Sequence, residues 1–170
     1  RLYIYVDAIA DLAPVASLRA LEHLNISAKE IASTASLEGL QSLQTVRFSR
    51  LNVHAGRWEP LPDLLPGFPD LVRFEAPMAY FGSDQFLYHC TQIRELDLSS
   101  MREMNQGFLR QMPQLERLTL SVDAVDPLPV LPALRVLEGI ELRDGEEWPK
   151  LPRLKSVRLN RAEPSQLTVF

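Results

Sequence analysis

Residues 114–120 read QLERLTL, and residues 92–98, which lie 22 positions earlier, read QIRELDL. The two stretches carry apolar residues at the same three positions, and each ends in an apolar-x-apolar pair, Leu96-x-Leu98 and Leu118-x-Leu120. Such a pair, with a period of two residues, is typical of a short β-strand that buries one face. Its return at a fixed interval indicates a chain built from stacked structural repeats.

The same pair recurs from one end of the chain to the other. The interval is 22 residues for most pairs, 28 between Val46-x-Phe48 and Phe74-x-Ala76, and 17 between Ile140-x-Leu142 and Val157-x-Leu159. We therefore predict a single domain over residues 1–170 with about eight repeats, an insertion loop at 54–64 and a C-terminal cap at 160–170. The predicted strands lie near residues 2–4, 24–26, 46–48, 74–76, 96–98, 118–120, 140–142 and 157–159.

Further apolar columns accompany the strand pair at minus three, minus six and minus nine residues. One repeat cannot bury its apolar face alone, so stacked repeats must share a core between the sheet and a returning wall. The column at minus three contains Leu21, Leu43, Leu71, Ile93, Leu115, Leu137 and Leu154, and the column at minus six contains Leu18, Leu40, Phe68, Cys90, Met112, Leu134 and Leu151.

The columns together resemble the leucine-rich-repeat family, in the form LxxLxxLxLxxxxL, with irregular bacterial-type repeats of about 22 residues. The resemblance implies an α/β solenoid shaped as a horseshoe or arc. A parallel β-sheet would line the concave side, with short helices or extended and 3₁₀ segments on the convex side. The family's asparagine after the strand is missing, because those positions hold Asp7, Lys29, Leu51, Ala79, Met101, Asp123 and Gly145. The turns must therefore find other hydrogen bonds.

The segments that return from one strand to the next change character along the chain. Four of them begin with a residue that favours a helix N-cap, namely Ser17, Ser36, Asp84 and Asn105, and continue with helix-forming residues. We predict short helices there. The later segments at 126–134 and 146–154 contain several prolines, which favour extended or 3₁₀ backbone.

The concave face supplies the candidate binding residues, because its side chains alternate with the buried ones and reach solvent. Tyr, Trp and Arg dominate the binding energy of protein interfaces, which favours the aromatic and charged residues of this face together with one tryptophan of the insertion loop. The candidate partner-binding residues are Tyr3, Tyr5, Arg47, Trp58, Arg73, Glu75, Glu95, Asp97, Arg117, Glu141 and Arg158.

Each candidate also has a structural interpretation. Arg73, Glu95 and Arg117 should be lateral neighbours, and so should Glu141 and Arg158, but such exposed ion pairs are worth only about 0–1 kcal/mol each. Tyr3 and Tyr5 would equally suit contact with a preceding N-terminal cap, and Trp58 would equally suit folding back over the core.

Glu75 and Asp97 form a different kind of pair on the same face. We expect them side by side on adjacent strands, where their like charges repel. One hypothesis is that these two carboxylates bind a basic residue of a partner protein.

Several other functions lack support in the sequence. His23, His54 and His89 fall in different repeats, Cys90 falls in an inward column, and no paired metal ligands or glycine-rich phosphate loop occur. We therefore expect no enzyme activity, cofactor, metal site or small-molecule substrate. The net charge of −4 and the absence of a long apolar run disfavour binding to nucleic acid or membrane.

Two functions remain after these exclusions, and a third, an enzyme whose site the sequence does not reveal, is left open as well. The first is a protein–protein interaction module that binds a protein partner on its concave face, with the substrate-recognition part of a bacterial effector as one setting. The alternative is a structural or self-associating solenoid without a dedicated ligand site. With a single cysteine we expect a cytoplasmic protein, either bacterial or in the host cytosol if it is a secreted effector. Because the sequence starts at Arg1 without a Met or signal peptide, we also expect a piece or a processed form.

Overall fold

The computed structural model describes residues 1–50, 53–54, 57–58, 68–78, 85–99, 106–122, 128–141 and 151–161. Its main feature is one parallel sheet in which each strand lies beside the strand of the next repeat. In chain order the eight strands are β1 (Leu2–Tyr5), β3 (His23–Ser27), β5 (Thr45–Ser49), β8 (Arg73–Glu75), β9 (Glu95–Leu98), β10 (Arg117–Val122), β11 (Val136–Glu141) and β12 (Ser156–Arg161). The predicted α/β solenoid with one parallel sheet is confirmed.

A repeated backbone contact joins each repeat to the next. In each case one carbonyl oxygen accepts hydrogen bonds from two backbone N–H groups of the following repeat. The Glu22 oxygen, for example, lies 2.8 Å from the nitrogen of Gln44 and 3.0 Å from that of Thr45. The accepting residue stands two positions before the first buried residue of its strand. The same pairs of bonds recur at the carbonyls of Gln44, Val72, Arg94, Glu116 and Arg135. The ladder therefore runs without a break from the second repeat to the last.

The core is a column of aliphatic and aromatic side chains behind the sheet. Phe48 and Phe74, from adjacent strands, meet edge to face with ring centroids 6.2 Å apart, and Phe86 packs on Phe74 at 5.2 Å. The two inward columns listed above are buried as predicted, except that Leu154 in the last described repeat is half-buried and Leu18 is exposed. Leu18 is 44% exposed because it belongs to the first repeat, which has a neighbouring repeat on only one side.

The turns after the first strands are held by backbone groups in place of an asparagine. The Asp7 carbonyl accepts the N–H groups of Lys29, at 2.8 Å, and of Glu30. Strand β2 (Ala8–Ile9) then pairs in parallel with β4 (Glu30–Ile31) as a second, two-stranded sheet. The backbone polar groups of one turn thus form hydrogen bonds with those of the next turn, so the stacked turns need no asparagine side chains to supply these bonds.

The early return segments are helical and the described parts of the later ones contain no helix, but two predicted helix starts are wrong. The helix α1 covers Ala13–Ala16 and has Ser17 as its C-cap, whereas the sequence predicts Ser17 as an N-cap. Pro14 in the first turn presets the helical backbone angle there, and the Asp11 carboxylate accepts the Ala13 N–H at 2.7 Å.

Three 3₁₀ helices follow, at Ala35–Gly39, Gln85–His89 and Gln106–Gln111. The first of them starts one residue before the predicted cap, Ser36, so that Thr34 occupies the N-cap position. The proposed caps Asp84 and Asn105 lie outside the described residues, whereas residues 128–135 contain no helix.

The register of the seventh repeat differs from the prediction. We expected Ile140 to align with Leu118, but Leu137 pairs with Leu118 on one side and with Val157 on the other. Apolar residues at 128, 131, 134, 137 and 140 are spaced by three, so a shift by three residues preserves the pattern. The strand assigned to 140–142 is therefore centred about three residues too late, and the two intervals are 19 and 20 residues.

A bulge at Gly139 makes this register possible. Against β12, Glu138 pairs with Arg158 and Ile140 with Leu159, so Gly139 is an extra residue of β11, and Ile140 is buried. Gly139 has a φ of 81°, in the left-handed region that favours glycine. Because of the bulge, the alternation of buried and exposed side chains along β11 shifts by one residue, and Ile140 points into the core.

The insertion after the third repeat begins with a hairpin. Strand β6 (Val53–His54) pairs antiparallel with β7 (Arg57–Trp58), and Val53 lies opposite Trp58. The side chain of Trp58, the rest of the insertion and the cap beyond residue 161 lie outside the described residues. Within the described part of the chain, no helix has the length and apolar character needed to cross a bilayer.

We expect the substitution Leu96→Asp to unfold the protein. The Leu96 side chain is 1% exposed in the centre of the ladder, where an unpaired carboxyl adds its desolvation cost to the lost packing. The loss should be about 4 kcal/mol or more of unfolding free energy, measured by urea denaturation followed by circular dichroism. Leu18→Asp makes the same chemical change at an exposed site and should cost less than about 1 kcal/mol. Equal losses for the two variants would contradict the assigned core.

We expect Gly139→Ala to be strongly destabilising as well. A Cβ at Gly139 would lie 1.7 Å from the carbonyl oxygen of Leu120, and the positive φ adds strain for any L side chain. We predict a loss of about 3 kcal/mol or more in the same urea assay. Gly39→Ala is the control, because a Cβ there meets the Ala16 oxygen at an ordinary 3.6 Å. A nearly unchanged midpoint for Gly139→Ala would refute the bulge.

Candidate functional site

The candidate site is the solvent face of the sheet, where one row of side chains crosses the strands. The register places Tyr3 beside Asn25, Asn25 beside Arg47, and Arg47 beside Glu75. Asp97 and Thr119 continue the row on β9 and β10. Adjacent strands lie about 4.8 Å apart, so the four residues from Tyr3 to Glu75 span about 14 Å.

A charged cluster occupies the middle of this face. Glu75 is only 9% exposed although it lies on the solvent face, because two arginines cover it. One of its oxygens lies 2.5 Å from Nη1 of Arg47, and the other accepts hydrogen bonds from Nε of Arg73, at 2.7 Å, and from Nη2 of the same side chain. Arg73 also reaches Glu95, with Nη1 at 3.3 Å from the carboxylate.

The arginines decide the protonation of this cluster. Burial by itself would raise the pKa of Glu75, but the hydrogen bonds and positive charges of Arg73 and Arg47 together hold that pKa below its ordinary value. In return, the hydrogen bond to Glu75 raises the pKa of Arg73. Glu75 is therefore a carboxylate whose charge is balanced within the chain.

This geometry changes the interpretation of the pair formed by Glu75 and Asp97. The two residues are neighbours in the register, as expected. However, both oxygens of Glu75 are already engaged by arginines, and Asp97 accepts the backbone N–H of Ser99 at 3.0 Å. The juxtaposition is explained by contacts inside the protein and requires no basic residue from a partner.

The first strand presents aromatic side chains beside this cluster. Tyr3 is 57% exposed and Tyr5 is 67% exposed, and the neighbouring Val6 is also exposed. Between them and the arginines lies a depression of about 310 Å³, whose lining includes Arg1, Tyr3, Asn25, Arg47, Arg73 and Glu75. The N-terminal half of the face thus combines apolar rings, cationic groups and a concave shape.

Four polar residues that line this depression are not among the residues predicted from the sequence, namely Asn25, Arg1, His23 and Thr45, and Asn25 has the most unusual environment of them. It lies between Tyr3 and Arg47, and its side-chain oxygen is buried without a hydrogen-bond partner among the described residues. The only signal in the sequence was its position in the central column of the strand pairs. That position shows only that Asn25 is on the solvent face, and it does not distinguish Asn25 from the other polar residues there.

The remaining candidates are not gathered at this depression. Arg117 lies opposite Glu95 in the register, as predicted, and is exposed. The expected neighbours Glu141 and Arg158 are not paired, because the shifted register puts Glu138 beside Arg158 and Glu141 beside Arg161. The error has the same cause as the misplaced strand, namely the apolar spacing of three residues.

The cysteine and the acidic groups add no catalytic arrangement to this face. Cys90 is 1% exposed, its Sγ–H donates to the Phe86 carbonyl at 3.3 Å, and burial raises the pKa of its thiol. The described residues contain no group of three or more His, Cys, Asp or Glu side chains that could hold a metal ion.

We expect Glu75→Gln to lower stability at neutral pH and to lose this effect in acid. The folded-state pKa of Glu75 is depressed below 4.5, so the stabilisation is complete above that pH and disappears as the pH falls through the folded-state value. At pH 7 the loss should be about 1–2 kcal/mol, discounted because both arginines are half-exposed. Urea denaturation at pH 7, 5 and 3 measures it. Glu38→Gln, on an exposed carboxylate, should change little at any of these pH values, whereas a pH-independent loss for Glu75→Gln would contradict the proposed charge network.

Comparison with known proteins identifies the fold. No model of a protein family matches the sequence, and no curated protein matches it. Among solved structures, the chain is similar to an internalin (InlF) from Listeria monocytogenes, with a TM-score of 0.56 and 16% sequence identity over 91% of this chain. The match covers 52% of the internalin chain, so this chain spans about half the length of that neighbour. The architecture is therefore that of a leucine-rich-repeat arc, an α/β solenoid with a parallel sheet.

Proposed function

We propose that the chain is a non-catalytic module that binds a protein partner on the concave face of its eight-stranded sheet. The proposed binding surface is centred on strands β1, β3, β5, β8 and β9. The leucine-rich-repeat fold suggests a protein-interaction module in general terms. The observation that carries the finer proposal is the pair of exposed tyrosines, Tyr3 and Tyr5, beside the half-exposed arginines Arg47 and Arg73.

The composition of this surface suits a protein interface. Tyrosine offers a large rigid ring with a hydroxyl at its end, and arginine combines a flat cation with several donors. These two residue types, with tryptophan, supply most binding hot spots. Other exposed apolar side chains, such as Met78 and Val130, have no aromatic residue next to them in sequence, whereas Tyr3 and Tyr5 stand on one strand and Val6 follows directly after it.

The rigidity of the face supports the same proposal. Tyr3, Arg47 and Arg73 each stand on a strand that is paired with its neighbours without a register shift, and Glu75 ties the two arginines to each other. Side chains held in this way lose little conformational entropy when a partner binds. The contact surface is thus already formed before binding.

A selection experiment tests the proposal without a known partner. A library of phage-displayed random 12-residue peptides is selected on the immobilised protein, and fluorescence polarisation then gives the dissociation constant of each selected peptide. We expect the double substitution Tyr3→Ala with Tyr5→Ala to weaken these peptides at least about 10-fold, as expected for removal of hot-spot residues.

A matched variant and a fold check accompany the measurement. Val130→Ala removes exposed apolar atoms from a return segment on the opposite side of the repeat and should leave binding unchanged. Circular dichroism melts of both variants should resemble that of the parent protein, because the altered side chains are exposed. If selection returns no peptide, or if the tyrosine variant binds as well as the parent, the proposal is refuted.

A further inference from the structure

The depression beside Tyr3 has a charge opposite to that of the whole chain. The chain carries a net charge of −4, yet the charged residues that line the depression are three arginines and one glutamate. Glu75 offsets one of these three positive charges, and Arg73 also contacts Glu95, so the positive charge that is left in the lining belongs to Arg1 and Arg47. The depression is therefore a cationic place on an acidic protein.

Arg47 is the group best able to receive an anionic ligand there. It contacts Glu75 through Nη1, and its other two guanidinium nitrogens have no partner within the part of the chain that the structure describes. A guanidinium carries five N–H donors arranged to suit a carboxylate. Arg73, by contrast, already uses all three of its side-chain nitrogens on Glu75 and Glu95.

Asn25 supplies an unmet acceptor next to this donor. Its side-chain oxygen is buried without a partner, and its strand neighbour on the row is Arg47. A buried carbonyl oxygen without a donor is unfavourable. Rotation of the amide on binding would bring it a donor such as a backbone N–H of the ligand.

The length of the row suits an extended peptide. From Tyr3 to Glu75 it spans about 14 Å, which corresponds to about four residues of extended chain at about 3.3 Å each. A peptide of this length can place a side chain on the Tyr3 ring and another at Arg47 simultaneously.

We propose that the depression recognises an acidic side chain within an extended segment of the protein partner, with the carboxylate on Arg47 and a backbone N–H on Asn25. This inference rests on the proposed function and adds the chemistry of the partner to it. It also reverses the sign expected from the sequence, where Glu75 and Asp97 suggested a basic partner.

The test uses the tightest peptide from the selection described above, together with copies in which each Glu is replaced by Gln or each Asp by Asn, one at a time. Dissociation constants are measured on the parent protein and on Arg47→Gln. We expect one such replacement to weaken binding to the parent at least 10-fold, and to weaken binding to Arg47→Gln less than twofold. The two losses are then not additive, which assigns that carboxylate to Arg47.

Arg94→Gln is the matched control. Arg94 likewise faces a glutamate, Glu116, with its Nη1 at 3.6 Å, but it does not line the depression. This variant should retain the full carboxylate dependence. Melting curves of both arginine variants establish that they are folded, and Arg47→Lys provides a second variant that retains the positive charge beside Glu75.

The outcomes separate the two proposals. If no single Glu or Asp replacement weakens binding, or if the replacement costs the same on the parent, Arg47→Gln and Arg47→Lys, the acidic-segment inference is overturned. Binding that still depends on Tyr3 and Tyr5 would in that case leave the interaction module intact. A selected peptide that depends on a basic residue would also overturn the inference.

Discussion

The structure depends on one repeated backbone contact, in which a carbonyl of each repeat accepts two N–H groups from the next. This contact runs through the carbonyls of Glu22, Gln44, Val72, Arg94, Glu116 and Arg135. It fixes the order of the strands and the register between them, so that the apolar residues of successive repeats stack into one column. Since a single repeat has too little apolar surface to fold alone, this stacking is what makes the chain a stable unit.

The same contact determines what the solvent face can do. Strands held in register place residues of the central row at regular intervals, and this brings the side chains of Arg47, Glu75 and Arg73 together although Arg47 is 28 residues from Glu75. The cluster has a structural role and a consequence for recognition. Because Glu75 and Glu95 offset only part of the charge of the three arginines that line the depression, the face next to the exposed tyrosines of the first strand keeps positive charge.

The sequence predicted the solenoid and most of the strands because stacked repeats demand apolar residues at constant spacing. It failed where two registers satisfy that demand equally. In residues 128–140 the apolar residues are three apart, and only the three-dimensional structure shows that Leu137 stands beside Leu118. The first helix was also misplaced because the sequence allows two positions for it. Ser17 was read as the residue before the helix, whereas in the structure Pro14 lies in the first turn of α1 and Ser17 follows its end.

For the candidate site, the sequence alone determined which residues share the solvent face, because alternation along a strand separates inward from outward side chains. It could therefore place Tyr3, Arg47, Glu75 and Asp97 on one surface. It could not determine which charges neutralise one another, since that depends on how side chains bend across strands and how deeply they are buried. The tertiary structure decided that Glu75 is closed off by two arginines and that Asn25 retains a buried, unpaired oxygen beside them. Periodicity is a property of the chain and can be read from it, whereas charge pairing is a property of distances that exist only after folding.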